Sequence, residues 1–241
     1  MLTAITKGIL MHSLLRRVGV AGALLSLTLG ALPASAADKL FSLQRQWWQW
    51  LGGIPVEVNP LFDETGAFCD VGQHGTYWNL VSNLGGESNR SCTVPKGVRL
   101  VVPVDNTFCY PEEGVDTDEG CIEYIATFYE GLDQADFIVR LDNVPQPVED
   151  VCEVAAHPND VVQALPAQCV IRRRANRTLF TFVVGQAGFY NSPAGVYRAN
   201  AARGLWAVID TTPLSVGSHV IRITSPFLSV RYNLKVAKAK N

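Results

Sequence analysis

The sequence predicts a mainly β protein, an antiparallel β-sandwich of the immunoglobulin-like or jelly-roll-like type with helical additions and stabilising disulfide bonds. Short runs of alternating or continuous apolar residues recur in its second half, and turn residues separate them. The 241-residue chain also carries six widely spaced cysteines and no C-x-x-C pair, which favours structural disulfides over zinc sites. A basic and then apolar N terminus assigns these cysteines to an oxidising compartment.

The first 36 residues are typical of a secretory signal peptide. Arg16 and Arg17 precede an apolar run over 18–32, which is followed by the small-residue triplet 34–36. This run is shorter than the roughly 20 apolar residues of a membrane span. We therefore expect cleavage between Ala36 and Ala37 rather than an uncleaved anchor.

Removal of residues 1–36 leaves 37–241, which we expect to form a single β-rich domain with a helical N-terminal half. The formal net charge of the chain is −2, and the removed segment holds basic but no acidic side chains. The domain is therefore acidic, which argues against nucleic acid as a partner. It has no further apolar run of about 20 residues. These features predict a secreted or periplasmic protein with no membrane span in the mature chain.

The six cysteines allow 15 pairings, and the sequence alone does not choose among them. Sequential pairing is the most economical arrangement, and it would give Cys69–Cys92, Cys109–Cys121 and Cys152–Cys169. Each bond would close a local loop and add about 2–4 kcal/mol to the free energy of unfolding.

Helical patterns are confined to the N-terminal half. A helix is predicted over Asp38–Leu51, because apolar residues recur at helical spacing until a Gly-Gly pair ends it. Trp47 and Trp50 lie on its periodic face, where core packing is a simpler interpretation than sugar stacking, whereas Trp48 points elsewhere and is the candidate for stacking on a sugar.

Turn residues dominate the segment 54–95, and its sequence allows a short helix around Tyr77–Ser82. A dense apolar run then predicts a buried strand over Val98–Val104. A second helix, of two to three turns, is predicted from Ile122 to about Gly131.

The second half is predicted to be β, since apolar residues alternate or cluster between turns. The expected strands are Phe137–Leu141, Thr178–Val184, Leu205–Ile209, His219–Thr224 and Leu228–Val236. Asp142-Asn143 forms the turn after the first strand. Two prolines at 145 and 147 restrict any strand that follows to a sheet edge, because proline lacks the N–H that a central strand uses.

Several short motifs occur together along the chain. They are a Trp-rich helix ending in Trp50-Leu-Gly-Gly-Ile-Pro55, an N-P…D…G…C…G-Q…W segment over Asn59–Trp78, an R-x-C-x-V-P turn over Arg90–Pro95 and a G-x-H-x-I-R-I strand over Gly217–Ile223. This set resembles an uncharacterised family of secreted bacterial proteins with a Trp-rich N-terminal helix and a β-rich C-terminal half. The resemblance covers most of the mature chain. It implies export and a β-rich fold, and the family has no established activity.

An acidic loop between Cys109 and Cys121 is the candidate metal site. Clustered carboxylates are the ligands that Ca²⁺ requires, so Ca²⁺ is the one cofactor that the sequence suggests. A solvated loop held by a disulfide is the simpler interpretation. The carboxylates are Glu112, Glu113, Asp116, Asp118, Glu119 and Glu123.

Asp70 and His74 are the candidate acid–base pair, in a segment that also contains Asp63 and Trp78. A carboxylate beside an imidazole can orient a general base, which would make the protein a hydrolase. Turn-forming aspartates that cap backbone groups explain the same positions more simply. His219, near the start of a predicted strand, is interpreted as structural.

The run Arg172, Arg173 and Arg174 is the candidate anion site, and an anionic glycan or a phosphate would suit it. A charged strand edge that discourages edge-to-edge pairing is the simpler interpretation. Trp48 and Trp78 are the aromatic contacts expected for a glycan.

The sequence contains no G-x-S-x-G, H-E-x-x-H or P-loop signature. We therefore predict a non-catalytic binding or envelope-associated protein, with a hydrolase as the alternative. The expected partner is a small ligand, a glycan or an envelope protein. The identity of the ligand and the oligomeric state stay open.

Overall fold

The structure is a computed structural model that describes residues 34–110, 118–155, 165, 169–174, 178–184 and 193–238. The chain divides into two units, Met1–Ala31 and Leu32–Asn241, and every described residue belongs to the second. Within the described ranges, no helix is both long and apolar enough to cross a lipid bilayer.

The prediction of a mainly β fold with helical additions is confirmed. Two α-helices and twelve strands occur in the part of the chain that is described. In chain order they are α1 (Ala34–Gly52), β1 (Tyr77–Asn79), β2 (Gly86–Pro95), β3 (Arg99–Cys109), α2 (Asp118–Thr127), β4 (Ile138–Leu141), β5 (Val144–Gln146), β6 (Glu149–Ala155), β7 (Val170–Arg174), β8 (Phe180–Val184), β9 (Gly195–Ala199), β10 (Ala201–Asp210), β11 (Gly217–Thr224) and β12 (Leu228–Ala237).

The strands form two five-stranded sheets and a two-stranded hairpin. The first sheet has the order β1-β3-β10-β6-β7, the second has the order β2-β12-β11-β4-β5, and β8 pairs with β9. The pairs β1/β3, β6/β7 and β2/β12 are parallel, so both large sheets are mixed and not purely antiparallel as predicted. Each parallel pair joins strands separated by a connection rather than by a tight turn, a distinction that local sequence patterns do not carry.

A shared core joins the two large sheets in a sandwich-like arrangement. Alternate side chains of β3 and β10 pack in one cluster with those of β11 and β12, as expected for strands with one face inward. The members include Leu100, Val102, Val104, Leu205, Ala207, Ile209, Ile221, Ile223, Val230 and Tyr232.

The other face of the first sheet is covered by α1 and by the hairpin of β8 and β9. Helix α1 buries Trp47, whose indole N–H donates to the carbonyl of Leu80 at 2.7 Å. Trp206 of β10 donates to the side chain of Gln44 at 3.1 Å. A Cβ at position 204 would overlap the Trp206 indole, so this close approach requires Gly204.

Most predicted elements are found within a few residues of their expected bounds. The predicted helix Asp38–Leu51 begins earlier, at Ala34, so the expected cleavage site lies in the first turn of α1. The helix predicted over Tyr77–Ser82 is wrong, because Tyr77–Asn79 pairs with the start of β3 as strand β1. Pairing along an available strand overrides a weak local helical pattern.

The hairpin of β4 and β5 confirms the predicted turn and the predicted edge position. Asp142 and Asn143 have φ angles of 49° and 69°, the two left-handed residues of a type I′ hairpin turn. Strand β5, which contains Pro145, lies at the end of the second sheet. Proline is tolerated there because the outer side of an edge strand pairs with nothing.

The three predicted disulfides are confirmed. They join Cys69 to Cys92, Cys109 to Cys121 and Cys152 to Cys169, with sequence separations of 23, 12 and 17 residues. The second bond lies in a small core cluster where Ile125 of α2 meets Val154 and Ala201.

Candidate functional site

A buried carboxylate lies on the face of the first sheet that α1 covers. Glu153 in β6 has no exposed side-chain surface, and its strand neighbours on this face, Val151 and Ala155, belong to the apolar core under α1. Burial raises the pKa of Glu153 above its ordinary value, although neighbouring arginines oppose the rise. Its Oε2 atom has no hydrogen-bond partner among the described residues.

Three guanidinium groups surround the other oxygen of this carboxylate. Arg45 of α1 donates from Nη1 to Oε1 at 2.8 Å. The Nε atoms of Arg174 and Arg172 lie 3.5 Å and 4.0 Å from the same oxygen. We call Arg45, Arg172 and Arg174 the arginine cluster.

The pairing of β6 with β7 explains why two of these arginines meet Glu153. The strands are parallel, with Glu153 level with Arg172 and Ala155 level with Arg174. Because alternate residues of a strand share a face, both arginines lie on the face of Glu153. Arg173 is level with Val154 and lies on the opposite face.

Helix α1 also contacts Arg172 of the arginine cluster. Asp38 lies 3.2 Å from Nη1 of Arg172, and the guanidinium of Arg172 lies over the ring of Phe41 at 5.4 Å. Asp38 and Arg45 are seven residues apart, which places them on one side of a helix.

The arginine cluster and the two carboxylates that it contacts together carry a net positive charge. Three cations face two carboxylates, those of Glu153 and Asp38. Burial lowers the pKa of Arg45, and although Glu153 opposes this, two neighbouring arginines add to it. The side chains of Arg45, Arg172 and Arg174 are 18%, 29% and 36% exposed, so part of each side chain reaches solvent. Guanidinium groups match carboxylate and phosphate oxygens.

A second charged network lies on the opposite face of the same sheet. Arg203 of β10 forms a two-point ion pair with Asp150 of β6, at 2.7 Å and 3.1 Å. Its Nη1 donates to the carbonyls of Ile125 and Ala126 at the end of α2, and its guanidinium lies 4.6 Å from the ring centroid of Tyr129. The side chains of the ion pair are 2% and 1% exposed, so this network is closed to ligands and supports α2.

Asp105 interacts with Tyr129 of this network. Burial raises the pKa of Asp105 to about 6, and the backbone N–H of Asn106 and the Tyr129 hydroxyl only partly oppose this. Burial also raises the pKa of Tyr129 well above its ordinary value.

Asp150, Cys152 and Cys169 place one ligand atom each within 4.8 Å of one another, a grouping that could suggest a metal site. The two cysteines are joined in a disulfide, however, and have no thiolate to offer a metal. This grouping is therefore structural in the oxidised protein.

The expectation that Trp48 points away from the core is wrong. Trp48 is buried, and its ring packs against Trp47 at 4.9 Å and Phe108 at 4.5 Å. Its side of α1 is covered because the hairpin of β8 and β9 joins the same core. Trp78 in β1 is half-buried against the core that the two large sheets share.

Asp70 and His74 are both exposed, but they do not form a pair. His74 Nδ1 lies 2.9 Å from the carbonyl oxygen of Gly72, and no hydrogen bond or ion pair joins Asp70 to His74 in the described structure. Asp63 accepts from the backbone N–H groups of Thr65 and Phe68, as a turn-capping residue does. Burial alone would raise the pKa of Asp63, but these hydrogen bonds outweigh it and lower the pKa.

Most of the acidic loop lies outside the described residues, including Glu112, Glu113 and Asp116. Asp118 and Glu119 begin α2, and Glu123 lies on an exposed side of that helix. Ca²⁺ binding at this loop stays a prediction.

Sequence reasoning found Arg172 and Arg174 but missed Arg45 and Glu153. A signal for Glu153 existed in the sequence, because it interrupts the apolar run Val151–Ala155 of β6, and charged residues are almost never fully buried unless paired. No local pattern indicated that α1 would deliver Arg45 to this strand.

Comparison with known proteins returns no relative. No family model, no curated protein and no solved structure matches this chain.

Proposed function

We propose that this protein is a secreted or periplasmic binding protein whose arginine cluster takes an anionic group of its ligand, a carboxylate or a phosphate. The observation that carries the proposal is the convergence of three partly exposed arginine side chains on one buried carboxylate oxygen. One carboxylate cannot accept from all the donors of three arginines, each of which has five.

The location outside the cytoplasm rests on two further observations. The chain begins with the features of a signal peptide, and it contains three disulfides, which persist in oxidising compartments. Export through cleavage of residues 1–36 is part of the proposal.

A small ligand or a glycan end fits better than an extended polyanion. The formal net charge of the chain is −2, and an acidic protein repels nucleic acid over most of its surface. The positive charge is local, and the arginines that supply it come from one helix and one edge strand. An anionic glycan or an envelope component with one anionic group would satisfy it.

A thermal-shift titration of the oxidised protein with inorganic phosphate and with a uronic-acid oligosaccharide tests this proposal. At about 100 times the dissociation constant, a ligand adds about 2.7 kcal/mol to the apparent free energy of unfolding. We expect Arg172→Gln and Arg174→Gln to reduce the shift.

Arg173→Gln is the matched control, because it removes the same charge from the opposite face of β7. We expect it to preserve the shift. The proposal fails if neither probe stabilises the protein, or if Arg173→Gln abolishes the shift as completely as Arg172→Gln.

A further inference from the structure

Asp142, Ser215 and His219 meet where the β4–β5 turn approaches the start of β11, and Asp142 is 77 residues from His219 in the sequence. His219 Nδ1 lies 2.6 Å from Oδ2 of Asp142, and His219 Nε2 lies 3.3 Å from Oγ of Ser215. The imidazole is buried, whereas Ser215 is exposed. A hydroxyl within reach of an imidazole that a carboxylate orients is the arrangement of an activated nucleophile.

The carboxylate of this group is held in place by the second sheet. The N–H of Asp142 donates to the carbonyl of Val220, and the N–H of Val220 donates to Oδ1 of Asp142, both at 2.8 Å. Only Oδ2 is left for the imidazole. The geometry thus sets the orientation of the His219 ring and the tautomer with a proton on Nδ1.

The second imidazole nitrogen faces two groups of Ser215, and its protonation state decides between them. When Nε2 carries a proton, it donates to the carbonyl oxygen of Ser215 at 3.0 Å. When Nε2 is free of a proton, it accepts from the Ser215 hydroxyl at 3.3 Å. Both Asp142 and that carbonyl raise the pKa of His219 above its ordinary value.

Backbone donors lie beside the hydroxyl. The N–H of Leu214 is taken by the carbonyl of Thr211 at 3.1 Å, whereas no acceptor in the described residues takes the N–H of Ser215 or of Val216. Free N–H groups next to a nucleophile are the donors that stabilise an oxyanion. Val216 itself is 50% exposed and offers apolar surface to an acyl chain.

We propose that Ser215 is a catalytic nucleophile with His219 as its general base, and that the protein hydrolyses esters of small apolar acyl groups at this place. Asp142 is a positioning residue, since it acts through His219. This activity is separate from anion binding, because the arginine cluster belongs to the first sheet and these three residues to the second sheet and its loops.

The reaction balances with water as the only co-reactant. Oγ of Ser215 forms a bond to the ester carbonyl carbon while its proton passes to Nε2 of His219. The bond from that carbon to the leaving oxygen breaks, and the leaving alcohol takes the proton from Nε2. A water molecule then attacks the acyl-serine, gives its proton to Nε2 and releases the acid, and Ser215 regains its hydrogen.

Labelling of the full chain with a fluorophosphonate probe, followed by peptide mass spectrometry, tests this proposal together with p-nitrophenyl acetate hydrolysis. We expect Ser215 to be labelled at least about 100-fold faster than the exposed Ser218, in line with the contribution of a general base. Ser215→Ala should abolish hydrolysis, and the control Ser218→Ala should retain it.

The pH profile separates catalysis from a structural role. The labelling rate should rise with pH, with a midpoint above 6.5 because the pKa of His219 is raised. Asp142→Asn should move this midpoint to lower pH, which loss of packing alone would not do. Since Ser215→Ala removes one exposed hydroxyl, its folding is secure even if His219→Gln unfolds. Equal labelling of Ser215 and Ser218, or full hydrolysis by Ser215→Ala, would overturn the proposal.

Discussion

At the scale of single residues, Asp105 makes stability depend on pH. Burial raises its pKa to about 6 in the folded protein, against about 3.9 in an unfolded chain. The folded state therefore holds a proton that the unfolded state loses between these two values, so stability falls as pH rises from about 4 to about 6.

We expect Asp105→Asn to remove this dependence. At 1.36 kcal/mol for each pKa unit, the variant should exceed the natural protein by about 2–3 kcal/mol above pH 7 and match it near pH 4. Urea unfolding at both pH values measures the difference. An equal gain at both would show that Asp105 does not titrate with a raised pKa.

Under the proposed function, Glu153 would compete with an anionic ligand for the arginine cluster. Glu153→Gln keeps the shape of the side chain and removes the negative charge that the arginine cluster now shares. Charges about 4 Å apart interact by about 1 kcal/mol in water and about 4 kcal/mol near a protein surface, so phosphate should bind at least about fivefold more tightly. Isothermal titration measures this affinity, with the exposed Glu87→Gln as control. Unchanged or weaker binding would place the ligand elsewhere.

At the scale of elements, the C-terminal end of α2 is held by Arg203 of strand β10. The last carbonyls of a helix lack partners within it, and Arg203 of β10 donates to two of them, those of Ile125 and Ala126. The same guanidinium pairs with Asp150. The end of α2 and the centre of the first sheet are therefore tied by one side chain.

We expect Arg203→Met to lower the free energy of unfolding by about 3–5 kcal/mol, because it leaves the buried Asp150 without a partner. The double variant with Asp150→Asn should recover part of this loss, since no unpaired charge stays buried. Guanidinium unfolding monitored by circular dichroism compares the variants. A double variant less stable than Arg203→Met would contradict this account.

At the scale of the whole molecule, the disulfides should rank by the loops they close. The separations are 23, 17 and 12 residues for Cys69–Cys92, Cys152–Cys169 and Cys109–Cys121. Loop entropy gives about 3 kcal/mol for a loop of this size, and each doubling of length adds about 0.6 kcal/mol. Paired Cys→Ala variants should lose stability in that order. The reverse order in melting temperature would show that local packing dominates.

How far the sequence predicts this molecule depends on the range of the interaction. Alternating apolar residues predicted strands such as β11 and β12, because a half-buried strand or helix has a characteristic apolar period in its own sequence. Partners across a sheet leave no such trace, so the parallel pairs β6/β7 and β2/β12 were missed. The prediction for Trp48 was wrong for the same reason. The helical periodicity of α1 identifies one buried face, whereas the hairpin of β8 and β9 buries another.

The candidate sites follow the same division. The arginines of β7 stand together in the sequence and were found, whereas Arg45 and Glu153 lie 108 residues apart and meet only in the fold. Likewise, His219 was interpreted as structural from its position alone. Its neighbour Asp142 is 77 residues away, and only the pairing of β4 with β11 brings them together.

The position of β12 bears on when this protein can fold. It is the last of the described strands, yet it lies between β2 and β11 inside the second sheet. A chain still emerging from a ribosome or a translocation channel therefore lacks the strand that joins the two sides of that sheet. Completion of the sandwich must wait until β12 is available to pair, and contacts between such distant segments form slowly. A chain that stopped before Leu228 would lack the strand that joins β2 to β11.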